Sequence, residues 1–207
     1  DHDMPAVSPE LLHPDALRAR FQQNLAWQPE VEREPSFSDR TPAKAAVLVP
    51  IVMRGAHATE PTLLLTRRAA HMSTHSGQIA FPGGKLDATD ASLEAAALRE
   101  SREEVGLPED LVEIWGRLPT HETVTGFIVT PILGQITADF RPIPEVGEVD
   151  EVFTVPLAHV LDPKSYVIER RRWRGEWRRY YAVPYGPYYI WGATARILRG
   201  LAERVAR

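Results

Sequence analysis

Three glutamates give this chain its first chemical signal. Glu100, Glu103 and Glu104 lie within Arg99-Glu100-Ser101-Arg102-Glu103-Glu104-Val105-Gly106-Leu107. At roughly 100° per residue the three carboxylates share one face of a helix, with Ala91, Leu98 and Val105 on about the opposite one. Like charges at this spacing repel by about a few tenths of a kcal/mol per exposed pair. A bound cation reverses that penalty. Mg²⁺ suits such a face, with Mn²⁺ as the alternative, because it takes hard oxygen ligands, usually one or two carboxylates, and completes its shell with water and phosphate oxygens. The chemistry on offer is hydrolysis of a phosphoanhydride, with the ion neutralising bridge charge and acidifying an attacking water. Glu100 and Glu104 are the expected direct ligands. Glu103 is the third carboxylate, either a ligand or a base acting through water. The plain alternative is a solvated acidic surface.

A second half of a site precedes the helix. In Phe81-Pro82-Gly83-Gly84 the two glycines let backbone N–H groups approach an anion, so Gly83 and Gly84 are candidate phosphate contacts. Arg67 and Arg68 follow a strand-like run and could meet phosphate oxygens or water. His75 and Gln78 are further substrate-contact candidates, against a hydrogen-bonded pair without chemistry. Arg99 is expected to orient a neighbouring carboxylate bidentately. Glu145, Glu148 and Glu151 lie before the strand at Val152 and read first as a solvated surface. Arg170, Arg171, Arg172, Arg174, Arg178 and Arg179 alternate with Trp173, Trp177, Tyr180 and Tyr181. That mixture could stack a base and hold an extra phosphate, bind single-stranded nucleic acid, or pack its aromatics inward with the arginines in water.

The elements that must position these groups are legible in outline. Periodicity predicts a helix over 8–27, interrupted at His13-Pro14-Asp15, and then a loop over 28–43. Strands are expected at Ala45–Met53, Pro61–Thr66, Val112–Leu118, Phe127–Ile136 and Glu151–Val155, with Pro131 marking an edge or a bulge. The acidic helix should run from Ala91 to Val105, capped by Asp90 and stopped by Gly106 and Pro108. A hairpin over 166–183 and a helix over 190–205 close the chain. The pattern is α/β, with a mixed sheet around one central helix. It reads as one domain, 44–207, behind an extension of helix and loop, 1–43.

The run Gly84 to Leu107 resembles the Nudix box: a glycine, a spacer, then Arg-Glu-x-x-Glu-Glu-x-Gly and an aliphatic residue. Arg99, Glu100, Glu103, Glu104, Gly106 and Leu107 match its ending position by position. The spacer is one residue longer than usual, the upstream Glu has no equivalent, its place falling near Asp90 or Ala91, and Ser101 replaces an aliphatic residue. Leu64-Leu65-Thr66, Arg68-Ala69, His75, Gly77-Gln78 and Phe81 to Gly84, with Ile190 to Ala195, are similar to coenzyme A pyrophosphatases of that family. Ser73 stands where those enzymes commonly carry Arg. The resemblance implies a Nudix-like α/β/α sandwich with the acidic helix at its centre. It also implies Mg²⁺-dependent cleavage of coenzyme A to 4′-phosphopantetheine and adenosine 3′,5′-bisphosphate, with ADP-ribose or a dinucleotide as the rival substrate. The resemblance further implies that the general base can come from a loop beyond the box, where Glu145, Glu148 and Glu151 stand. A silent Nudix-like binding module is the rival of another kind.

Composition narrows the partners. A hydrophobic share of 43% and a charged share of 25% belong to a folded protein. With 24 basic and 28 acidic residues the net charge is −4, which argues against nucleic acid or an anionic membrane as the partner of the whole chain. A small-molecule substrate is expected instead. The absence of cysteine excludes disulfides, thiolate nucleophiles and Cys-based zinc sites. The longest apolar stretch, Ala45 to Met53, is too short to span a bilayer, and the acidic start has no apolar run behind it. A cytoplasmic location is expected.

Overall fold

The computed structural model describes residues 7–23, 41–53, 60–70 and 77–206. The sheet is built around two apolar strands, β1 (Ala43–Val52) and β7 (Phe127–Ile136), paired in parallel along their whole length. Antiparallel neighbours extend it. β2 (Thr62–Arg68) pairs with β1 and carries β8 (Val149–Pro156) on its other side, while β5 (Val112–Arg117) pairs with β7. Three short strands complete the eight: β3 (Ile79–Ala80) on β2, β4 (Gly83–Lys85) on β1 and β6 (His121–Glu122) on β7. The hairpin β9 (Val167–Trp173) and β10 (Glu176–Ala182) forms a separate two-stranded sheet.

Alternation along β1 divides the core. Ala46 and Leu48 point to one face, where α2 (Leu93–Val105) buries Ala96, Ala97 and Val105 against them, with Ile132 and Ile136 of β7. Val49 and Ile51 point to the other. There α1 (Pro14–Gln22), α3 (Leu157–Val160) and α4 (Ala193–Ala206) contribute Leu17, Phe21, Leu157, Val160, Leu198 and Leu201. Each fully buried side chain of this kind contributes about 1.5–3 kcal/mol of transfer free energy. The result is an α/β/α sandwich, as expected. No helix among the described residues is long and apolar enough to cross a membrane.

Several local expectations are corrected. α2 begins at Leu93, and Ser92 caps it by accepting from the Ala95 N–H at 3.0 Å. Asp90 is occupied elsewhere. Ala91 is exposed and Leu98 only half-buried, whereas Glu104 and Ser101 lie on the buried side, so hydrophobic content misplaces the helix face. Ser101 is tolerated there because its hydroxyl donates to the Ala97 carbonyl at 2.7 Å. Pro131 lies on neither edge, since β7 is flanked by β1 and β5, but the β5–β7 pairing carries a register shift between Ile114 and Gly116, opposite Gly134 and Leu133. The proline sits at the seam where β7 passes from β5, whose last pair is Arg117↔Ile132, to β6, which begins at His121↔Val129. The N-terminal helix is a 3₁₀ turn at Pro9–Leu12 followed by α1, divided at His13 as read. Residues 24–40, with the end of that expected helix and most of the following loop, lie outside the described residues.

Candidate active site

α2 delivers its carboxylates to the sheet through close backbone approach. β4 lies antiparallel on β1, Val47↔Gly83 and Ala46↔Gly84, and so passes directly under the helix. A Cβ on Gly84 would stand 2.7 Å from the Glu100 carboxyl carbon, so only glycine leaves that carboxylate its place. The Gly83 N–H donates to Glu104 Oε2 at 3.2 Å. The expected anion contact at these glycines is therefore made, in part, by the chain's own carboxylate. At the other end, Gly106 adopts φ 71° and caps the helix in the left-handed conformation that L side chains resist. A Cβ there would also press Ile143 at 3.1 Å. The loop it admits is tied to the helix end by Ile143 N–H to Val105 O at 2.9 Å and Glu145 N–H to Glu104 O at 2.8 Å. That docking brings Glu145 and Glu148 to the α2 carboxylates.

Arg99 organises the exposed side of the cluster. Its Nε and Nη2 donate to both oxygens of Asp90, each at 2.9 Å, and Nη1 reaches Glu100 at 3.0 Å and Glu103 at 3.3 Å. Nη2 also donates to the Lys85 carbonyl at 3.3 Å, tying helix to β4. The hydrogen bonds from Arg99, with one from the Asp87 backbone, hold the Asp90 carboxyl down at about 2. Sequence reading took Asp90 for a helix cap. The signal that could have found its role is its position, close to where the box usually places its upstream Glu.

The buried side has the opposite electrostatics. Glu104 is 6% exposed, and burial, reinforced by Glu100 and Glu148, pushes its carboxyl up to about 8 despite the Gly83 N–H and the charge of Arg68. Burial likewise raises Glu100, against the pull of Arg99 and with Glu103 and Glu148 adding to it. Glu145 is raised by burial and by Glu148. Five carboxylates thus share one field with too little positive charge. Among the described residues no three acidic or imidazole side chains form a ready-made metal cage. A Mg²⁺ ion needs none, since one or two carboxylates with water and phosphate oxygens suffice. The donor set fits a hard divalent cation.

Beside β4 opens a cleft of about 440 Å³, lined in part by Arg68, Gln78, Gly83 and Gly84. Successive residues of a strand face opposite ways, so only one of the two arginines of β2 can enter it. Arg68 does, and its buried Nε has no hydrogen-bond partner among the described residues. Arg67 is spent instead on Glu151, its cross-strand neighbour on β8, at 3.2 Å, where the Tyr188 hydroxyl also donates. Glu151, one of the three alternative bases, is held by that pairing. His75 and Ser73 lie outside the described residues. The hairpin joins the cleft through Arg171, Arg179 and Tyr180, and α4 joins it through Arg196. Arg196 escaped the sequence reading because it is one of three arginines, with Arg199 and Arg204, in a helix whose pattern is otherwise structural.

A mixed-sheet sandwich that sets a helix-borne carboxylate cluster beside a cationic cleft defines a class of hydrolases that cut phosphoanhydrides with a divalent ion. The NUDIX domain family matches residues 42–175, and the chain belongs to the Nudix family. It is a Nudix pyrophosphohydrolase of nucleoside diphosphate derivatives. Two relatives carry the name uncharacterized Nudix hydrolase NudL. One, from Enterobacter sp. (strain 638), is 48% identical over 162 residues, 78% of this chain and 82% of its own. Another, from Shigella flexneri serotype 5b (strain 8401), is 44% identical over 191 residues, 92% of this chain and 94% of its own. A MutT/nudix family protein from Enterococcus faecalis shares the fold with a TM-score of 0.50 at 18% identity, over 93% of this chain and 69% of that one.

Proposed function

We propose that the chain hydrolyses the diphosphate of coenzyme A, releasing 4′-phosphopantetheine and adenosine 3′,5′-bisphosphate, in the cytoplasm. The observation that carries the hydrolytic reading is the undercompensated carboxylate cluster of α2 set beside a cleft lined by Arg68 and the Gly83–Gly84 strand. Glu100 and Glu104 would hold the Mg²⁺, or Mn²⁺, with Glu103 as third ligand or as base through water. When bound, the ion supplies charge neutralisation at the diphosphate and acidifies water. Arg99 fixes Glu100 and Glu103 in orientation from behind. Arg68 offers the diphosphate a guanidinium whose buried Nε is otherwise unmatched. Glu145 and Glu148 stand beside the cluster as the alternative proton acceptors for the attacking water. What supports coenzyme A over other diphosphates is the run Leu64 to Gly84, with Gln78 and Arg68 of that run in the cleft, and Trp191 to Thr194 on the same wall.

Incubation with Mg²⁺ and coenzyme A, ADP-ribose or NADH, followed by product analysis, tests both levels. Turnover of coenzyme A with the two named products is expected. Cleavage of ADP-ribose or NADH without cleavage of coenzyme A would overturn the narrower substrate while keeping the reaction.

A further inference from the structure

The β9–β10 hairpin carries six arginines and only two glutamates between residues 166 and 183, in a chain whose net charge is −4. Its register sets like charge against like: Arg171 lies directly opposite Arg178, and Arg170 opposite Arg179. Such pairs destabilise a two-stranded ladder that has little else to hold it. Glu176 relieves Arg178 at 3.0 Å. Arg171 is placed differently. It is half-buried, lines the cleft, and stacks with its Cζ 4.5 Å from the centre of the Trp191 ring. Its Nε is buried with no hydrogen-bond partner among the described residues. Arg179 and Arg196 line the same cleft.

A guanidinium held over an indole keeps N–H donors for a planar or tetrahedral oxyanion. The anion best matched to several cations is a phosphate monoester, which carries about −1.5 to −2 near neutral pH and three acceptor oxygens. We propose that Arg171, with Arg179 and Arg196, forms an anion subsite that takes a phosphate monoester on the substrate's ribose, separate from the diphosphate being cut. The inference rests on the hydrolytic reading above and makes the substrate class narrower: nucleoside diphosphate derivatives that bear a further phosphate.

Matched pairs differing by that one phosphate test it: coenzyme A against 3′-dephospho-coenzyme A, and NADPH against NADH. For the wild type, kcat/KM should favour the phosphorylated member by about tenfold or more, the size of one charge-assisted contact, expressed in KM. Arg171→Gln should bring the ratio towards one, and Arg171→Lys should restore part of it. Arg172→Gln, on the exposed face of the hairpin and outside the cleft wall, should keep the wild-type ratio. Calorimetry with adenosine 3′,5′-bisphosphate and AMP, without metal, gives a readout independent of turnover. The bisphosphate should bind tighter to the wild type, with the difference lost in Arg171→Gln.

An unchanged ratio in Arg171→Gln, an equal loss in Arg172→Gln, or equal binding of the two nucleotides overturns the subsite. So does salt-steep oligonucleotide binding that leaves the two nucleotides undiscriminated. Failure to cleave any diphosphate overturns the hydrolytic reading instead, and the binding measurement still decides the subsite.

Discussion

On α2 the charges are drawn inward: Glu104 is buried, Glu100 is half-buried, and Arg99 ties Glu100, Glu103 and Asp90 into one network that reaches β4. On the β9–β10 hairpin most charges stay outward, with Arg170 and Arg172 near the ring of Trp177, itself 61% exposed, while Arg171 is turned to the cleft. The helix is packed on the main sheet and pinned at both ends, by the Ser92 cap and by the loop docked at Gly106. The hairpin is a two-stranded ladder attached beside α4. The hairpin lines the cleft and α2 lies against its β4 wall; the helix is net acidic and the hairpin net basic. The difference separates two demands. Reacting atoms need carboxylates fixed to fractions of an ångström, which only a packed helix provides, whereas holding a remote part of a substrate needs charge and area more than rigidity.

The largest test of that contrast is Glu104→Gln. The change keeps size and the acceptor for the Gly83 N–H but removes the charge. Turnover with Mg²⁺ should fall by about 10²–10³-fold, as for the loss of one preorganised electrostatic contact. The metal-free protein should at the same time melt higher, because a buried carboxylate short of positive charge opposes folding. A steady-state assay paired with a thermal melt reads both. Equal activity in the two proteins would remove the assigned role, and a lower metal-free melting point would contradict the strain attributed to this residue.

How much of this was legible beforehand follows the same division. The strands β1, β5 and β7 and the hairpin were readable because apolar runs and Arg174-Gly175 are local signals. The three glutamates were readable as a cluster because a helix converts spacing into direction. Which of them is buried was not. Glu104 goes inward to a backbone N–H supplied by Gly83 of β4, far upstream in the chain, and no pattern within the helix contains that fact. Asp90 was misread for the same reason: its partner Arg99 is nine residues away and meets it only once the chain has folded back. The edge alternative for Pro131 failed because a proline's cost depends on its neighbours in the sheet, and the change of partner from β5 to β6 is a tertiary feature. Arg67 and Arg68 could be listed but not separated until β2 had faces.

A smaller effect is expected from loosening the helix network without touching the buried carboxylate. Arg99→Lys keeps a positive charge but loses the planar fork that meets both Asp90 oxygens while reaching Glu100 and Glu103. Glu100 and Glu103 would keep their charge and lose their orientation. Activity should drop by about 10–100-fold, the usual cost of removing a group that orients ligands. The loss should appear as a weaker Mg²⁺ requirement curve, with half-saturation moved to higher metal concentration. Loss of turnover with unchanged metal dependence would place Arg99 outside the positioning of these carboxylates.

The smallest effect concerns stability and pH, where burial on α2 makes a signed forecast. Glu104 titrates at about 8 in the metal-free fold, above its ordinary carboxylate value. The folded chain therefore holds a proton that the unfolded chain has released, and between the two values unfolding releases it. Stability contributed by this group falls as pH rises from about 5 towards 8, and the penalty is complete above that. Its size is on the order of a few kcal/mol at most, reduced by whatever water reaches the site. Glu100 and Glu145, also raised, push in the same direction. Metal-free protein should thus melt lower at pH 9 than at pH 6, and Glu104→Gln should flatten the slope. Mg²⁺ favours the ionised carboxylates and competes with their protons, so the melting-point gain it gives should be larger at pH 9 than at pH 6. A metal-dependent stabilisation that is flat from pH 6 to 9 would mean the carboxylates of α2 are not where the ion binds.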